Sequence, residues 1–99
     1  MTHLNDVLDR IREIAPVLRQ AGVTHARVFG SVARGASSPD SDVDVLVDLD
    51  RARVRSLVDL AEIRLLLEEA IGAPVDIADA SRLKPHVRPS ALADAVRAF

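Results

Sequence analysis

Residues 42–49 read DVDVLVDL, and this alternation constrains the fold more than any other feature of the chain. Successive side chains on a β-strand point to opposite faces. Val43, Val45 and Val47 therefore fall on one side, and Asp42, Asp44, Leu46 and Asp48 on the other. The valine face needs a core to bury it, and the carboxylate face needs water, cations or partners. The strand closes a longer stretch, 28–50, that also holds a Gly30-Ser31 turn and a loop by composition over 36–41 (ASSPDS).

The rest of the chain supplies what such a strand packs against. Leu4, Val7, Leu8, Ile11, Ile14, Ala15 and Leu18 recur at helical spacing, with Asp6, Asp9, Arg10, Arg12 and Glu13 on the other faces. This predicts an amphipathic helix capped by Thr2 or Asn5, kinked or broken at Pro16, and ended by Gly22. Residues 25–29 (HARVF) predict a strand that delivers the chain into the Gly-Ser turn. A second helix is expected from about 56 to 71, burying Leu57, Leu60, Ala61, Ile63, Leu67 and Ile71 and stopping at Gly72. Residues 74–78 (PVDIA) predict a third strand, with Val75 and Ile77 inward and Asp76 on the other face. A strand, helix and strand so spaced form a right-handed crossover, which sets the third strand parallel to the second. Residues 90–99 (SALADAVRAF) predict a last short helix burying Leu92, Val96 and Phe99. The fold class expected is α+β, a small mixed sheet of three to four strands packed with about three to four helices.

Composition narrows the function classes. Ninety-nine residues suit one domain, 1–99, with a modest core, so an active site is expected at the surface, within reach of a partner protein. Net charge is −2 with no long basic run, and Phe29 and Phe99 are the only aromatic side chains, which argues against direct nucleic-acid binding. The absence of Cys excludes thiolate ligands, thiolate nucleophiles and disulfides. The charged N-terminal segment does not read as a signal peptide and no apolar run is long enough for a bilayer, so a cytoplasmic location without membrane contact is expected.

The chemistry follows from the acidic face. Residues two apart on a strand have Cα atoms roughly 6–7 Å apart on one face, so Asp42 and Asp44 can reach toward one hard cation. Carboxylate oxygens without neighbouring His or Cys suit Mg²⁺, or Mn²⁺, over Zn²⁺. Asp76, on an adjacent parallel strand, adds a third carboxylate. Three converging carboxylates repel unless cations neutralise them, and two metals about 3.5–4 Å apart are the usual arrangement for displacement at phosphorus. Gly30 lets backbone approach a ligand closely. Ser31 begins a short helical turn whose hydroxyl and N–H groups suit phosphate oxygens, and Arg34, one turn on, suits the same phosphates. The reagent implied is a nucleoside triphosphate with its metal. Each residue also has a plainer reading: Asp42 and Asp44 as a solvated strand edge, Asp76 as a surface residue, Ser31 as an N-cap and Arg34 as a surface charge. The arginines at 51, 53 and 55 read as a solvated loop, with a partner surface as the other option, and the three histidines show no ligand spacing.

The motif FGSVARG at 29–35, with ten residues between its Gly30-Ser31 and Asp42-Val43-Asp44, and the isolated Asp76 resemble the signature of the DNA polymerase beta-like nucleotidyltransferase superfamily. Nearly the whole chain is similar to its smallest branch, the minimal nucleotidyltransferase (MNT) antitoxins. The resemblance implies transfer of a nucleoside monophosphate, AMP from ATP, to a hydroxyl with release of pyrophosphate. Asp42, Asp44 and Asp76 would be catalytic and hold Mg²⁺, and Gly30, Ser31 and Arg34 would hold the nucleotide. It also implies a HEPN-domain toxin as partner, neutralised through modification of a tyrosine. Two alternatives stand beside it: neutralisation by binding alone, and transfer to a small molecule such as an antibiotic.

Overall fold

The computed structural model describes residues 3–36 and 42–99. The elements run α1 (Leu4–Glu13), α2 (Ala15–Ala21), β1 (Val23–Phe29), α3 (Gly30–Ala33), β2 (Val43–Leu49), α4 (Leu57–Ile71), β3 (Val75–Asp79), a 3₁₀ turn (Ala80–Arg82), α5 (Arg88–Ala93) and β4 (Val96–Arg97). The sheet order is β3-β2-β1-β4, with β1 antiparallel to both β2 and β4, and β2 parallel to β3. The mixed α+β architecture expected from the sequence is the one observed.

Pro16 has a definite consequence. Lacking an N–H, it cannot continue a helix but is tolerated in a first turn. The expected N-terminal helix accordingly divides at Ile14, and Pro16 sits at the start of α2. Gly22 ends α2 in the left-handed conformation, as expected. His3 occupies the N-cap of α1 without a side-chain bond, so Asn5 lies inside the helix and is not its cap; Thr2 falls outside the described residues. So does the expected loop, apart from Ala36.

The valine face of β2 does bury. Val43, Val45 and Val47 are fully enclosed, packed in one cluster with Val7, Leu8 and Ile11 of α1, Leu18 of α2, and Ile63 and Leu67 of α4. Ala26 and Val28 of β1 and Val75 of β3 extend the same layer. Leu46 is also fully buried but lies outside that cluster, as its position on the acidic face requires.

Two expectations fail. Leu57, assigned to the buried side of α4, is 79% exposed, and Val58 and Leu65 are exposed with it. α4 carries apolar residues around most of its circumference, so periodicity alone does not decide which of them face the sheet. The C-terminal segment does not form a helix over 90–99. α5 spans Arg88–Ala93 and leaves Leu92 exposed; the chain then turns and pairs Val96 and Arg97 with Val28 and Arg27. Burial there falls on Ala98, whose N–H donates to the Ala26 carbonyl.

Candidate active site

Strand pairing assembles the site at one end of the sheet. Phe29 is the antiparallel partner of Asp44, and Asp44 is the parallel partner of Asp76. Neighbouring strands lie roughly 4.8 Å apart. The Gly30-Ser31 turn, Asp44 and Asp76 therefore form a row across three elements, with exposed Asp42 immediately before β2.

Gly30 is held against this row. It begins α3 with φ +71°, and a Cβ added there would collide with the Asp44 carboxylate, lying 3.1 Å from its Cγ. Only glycine meets both demands, a left-handed backbone and zero side-chain volume. Close approach of the backbone, expected here toward a ligand, is observed toward the Asp44 side chain.

The electrostatics of Asp44 report the crowding. Partial burial, then the charges of Asp76 and Asp42, raise its pKa above the ordinary 3.8, while Arg34 pulls the other way. The part of the shift that comes from Asp76 and Asp42 is like-charge repulsion, which disfavours the ionised form of Asp44. Among the described residues, no group of three His, Asp or Glu side chains stands close enough to hold a metal ion.

Ser31 is the second residue of α3 and only partly buried; the N-cap is Phe29, and no side chain caps the helix. The N-cap reading of Ser31 is thus set aside. Arg34 ends α3, exposed, with Nη1 3.3 Å from Oδ2 of Asp94 at the C-cap of α5. Sequence reasoning did not single out Asp94, and no local pattern signals it, because its partner is sixty residues away in the chain. A second polar cluster also escaped it. Asp79, at the end of β3, accepts from Arg51 Nη2 at 2.7 Å, and Arg51 also reaches the Ser81 hydroxyl.

A Gly-Ser turn set beside carboxylates on adjacent strands of a small mixed sheet is an arrangement shared with nucleotidyltransferases, and sequence comparison points to the same class. The chain belongs to the nucleotidyltransferase domain family, whose model matches residues 8–98. It is 36% identical over 85 residues, 86% of this chain and 89% of the relative, to a protein of Methanocaldococcus jannaschii assigned as protein adenylyltransferase MJ0435. It is 39% identical over 75 residues to protein adenylyltransferase MntA of Thermococcus cleftensis, covering 76% of this chain and 74% of that one. A solved structure assigned as a minimal nucleotidyltransferase superposes with a TM-score of 0.81 at 35% identity, over 97% of this chain and 96% of the other. The fold is also shared, at 17% identity and a TM-score of 0.66, with a structure of a tri-AMPylated Shewanella oneidensis HEPN toxin in complex with MNT antitoxin. That match spans 94% of this chain and 71% of the other.

Proposed function

We propose that this enzyme is an Mg²⁺-dependent protein adenylyltransferase that transfers AMP from ATP to a hydroxyl, a tyrosine side chain, of a HEPN-domain toxin and so neutralises it. The observation that carries the proposal is the row of Gly30-Ser31, Asp44 and Asp76 built by the pairing of β1, β2 and β3. Relatives named protein adenylyltransferases, 36% and 39% identical, support the choice of acceptor class. The toxin partner is supported by the shared fold of the MNT antitoxin bound to a HEPN toxin. We place the catalytic domain over 1–99 and the protein in the cytoplasm; no helix among the described residues is long and apolar enough to cross a membrane.

The acidic character of the row supports the metal: the Asp44 pKa is raised first by burial and then by the charges of Asp76 and Asp42. Asp42, Asp44 and Asp76 would hold Mg²⁺, two ions in the usual arrangement. Bound there, the metal supplies charge neutralisation at the phosphates. Gly30 and Ser31 bring backbone N–H groups and a hydroxyl to the triphosphate, and Arg34 adds a guanidinium once it exchanges Asp94 for phosphate. In the transfer, the acceptor oxygen forms a bond to the α-phosphorus and the bond to the bridging oxygen breaks. Pyrophosphate leaves, and Asp76 takes the hydroxyl proton.

The experiment is incubation of the purified chain with the HEPN-domain protein encoded beside it, Mg²⁺ and ATP labelled at the α-phosphate. Label should appear on the toxin and vanish with the Asp42→Asn/Asp44→Asn variant. Unlabelled toxin that the double variant still silences would instead establish neutralisation by binding alone.

A further inference from the structure

Asp94 is an acid at the nucleotide end of the sheet to which the proposed transfer gives no task. β1 has β2 on one flank and β4 on the other, and it pairs with β4 through Val28↔Val96 and Arg27↔Arg97. Continued by two residues, that antiparallel register brings Asp94 level with Gly30. Asp44 reaches the Gly30-Ser31 turn from the opposite flank, as the partner of Phe29. Arg34, at the end of α3, is felt by both acids. Its Nη1 lies 3.3 Å from Asp94 Oδ2, and its charge also draws the Asp44 pKa downward. The contact ties the turn to the junction of α5 and β4, where Asp94 is the C-cap of α5.

The strength of the contact decides what it can do. The Arg34 side chain is 53% exposed and that of Asp94 44%. An exposed ion pair of this kind shifts an equilibrium by roughly fivefold at most. A guanidinium facing phosphate makes bidentate, charge-assisted bonds that are stronger. A triphosphate therefore displaces Asp94 from Arg34, and binds less tightly than it would if Arg34 were unengaged.

We propose that Asp94 is a positioning residue: it holds Arg34 in the absence of nucleotide and competes with the triphosphate for it, which lowers nucleotide affinity and, as Arg34 is recaptured, favours departure of pyrophosphate. The inference rests on the proposed reading of Arg34 as a phosphate ligand. Asp94 acts through Arg34 alone. A carboxylate that simply repelled the phosphates would weaken binding whether or not Arg34 were present, so the two cases separate in a double-mutant cycle.

The test is calorimetric titration of the Mg²⁺ complex of a non-hydrolysable ATP analogue into wild type, Asp94→Asn, Asp94→Glu, Arg34→Gln and the double variant Arg34→Gln/Asp94→Asn, with thermal melts to confirm folding. Both side chains are about half exposed, and replacements at such positions leave a fold intact. The expected results are a Kd about threefold lower for Asp94→Asn, a wild-type Kd for Asp94→Glu, a raised Kd for Arg34→Gln, and no further change in the double variant. The advantage of Asp94→Asn should shrink toward nothing at about 1 M salt, where the screening length falls to about 3 Å. An unchanged or raised Kd in Asp94→Asn overturns the proposal, as does a lowered Kd in Asp94→Glu. The same tightening in the Arg34→Gln background assigns the effect to direct repulsion, and an advantage that persists in high salt assigns it to packing; either overturns the proposal. A wild-type Kd in Arg34→Gln removes Arg34 from the phosphate site, and the proposal with it, while leaving the nucleotidyltransferase reading standing. Absence of analogue binding by the wild type overturns that reading and the proposal together.

Discussion

At the scale of single residues, the site is governed by the contact between Gly30 and Asp44. Gly30→Ala places a methyl group against the Asp44 carboxylate on a backbone with φ +71°. Gly72 has a similar φ of +77°, with nothing described within 4 Å of an added Cβ. Gly72→Ala should cost about 1 kcal/mol in urea unfolding, and Gly30→Ala about 2 kcal/mol or more together with loss of transfer. Equal costs would remove the steric argument. Asp44 itself carries a cost in stability at neutral pH. Burial, then the charges of Asp76 and Asp42, raise its folded pKa, so its favourable contribution is complete below the ordinary 3.8 and is lost as pH rises through the folded value. At pH 7 without divalent cations, Asp44→Asn should therefore melt higher than the wild type. The gain is on the order of a degree or two, because much of the carboxylate is still solvated. The difference should vanish in acid; a lower melting temperature at pH 7 would contradict it.

At the scale of elements, the chain disclosed those whose reasons are local. The alternation of Val43, Val45 and Val47 with Asp42 and Asp44 marks β2, and the break at Gly72 and the restart at Val75 mark the crossover. The pairing of Asp44 with Asp76 followed, because a parallel crossover leaves few registers that bury both valine faces. The C-terminal segment was misjudged because β4 exists only through Val28 and Arg27, some seventy residues earlier. Locally, 90–99 has helical composition. The outward face of α4 was misjudged for a related reason, since only the assembled sheet decides that Ile63 is covered and Leu57 is not. The cluster at the end of β3 makes an element-scale prediction. Burial pushes the Asp79 pKa up, but hydrogen bonds from Ser81 and Arg51 outweigh it and hold the value below 3.8. A lowered folded pKa stabilises above the ordinary value and stops doing so as pH falls through the folded one. Asp79→Asn should cost about 1–2 kcal/mol at pH 7, with the gap to wild type closing below pH 3.8. A gap that stays constant with pH would assign the loss to packing.

At the scale of the whole molecule, the sheet acts as a ruler. Its core of valines, packed against α1, α2 and α4, fixes Asp44 and Asp76 side by side at one end. Because the carboxylates repel when no cation is present, ligand binding and folding are coupled, and Mg²⁺ with ATP should raise the melting temperature more than either alone. The central claim is that Asp42, Asp44 and Asp76 act as one set on a metal-bound nucleotide. Its most direct test is calorimetric titration of the chain with the Mg²⁺ complex of a non-hydrolysable ATP analogue, repeated for Asp42→Asn, Asp44→Asn and Asp76→Asn. Each substitution should weaken binding at least tenfold, and wild-type affinity in the Asp44→Asn or Asp76→Asn variant would contradict the account.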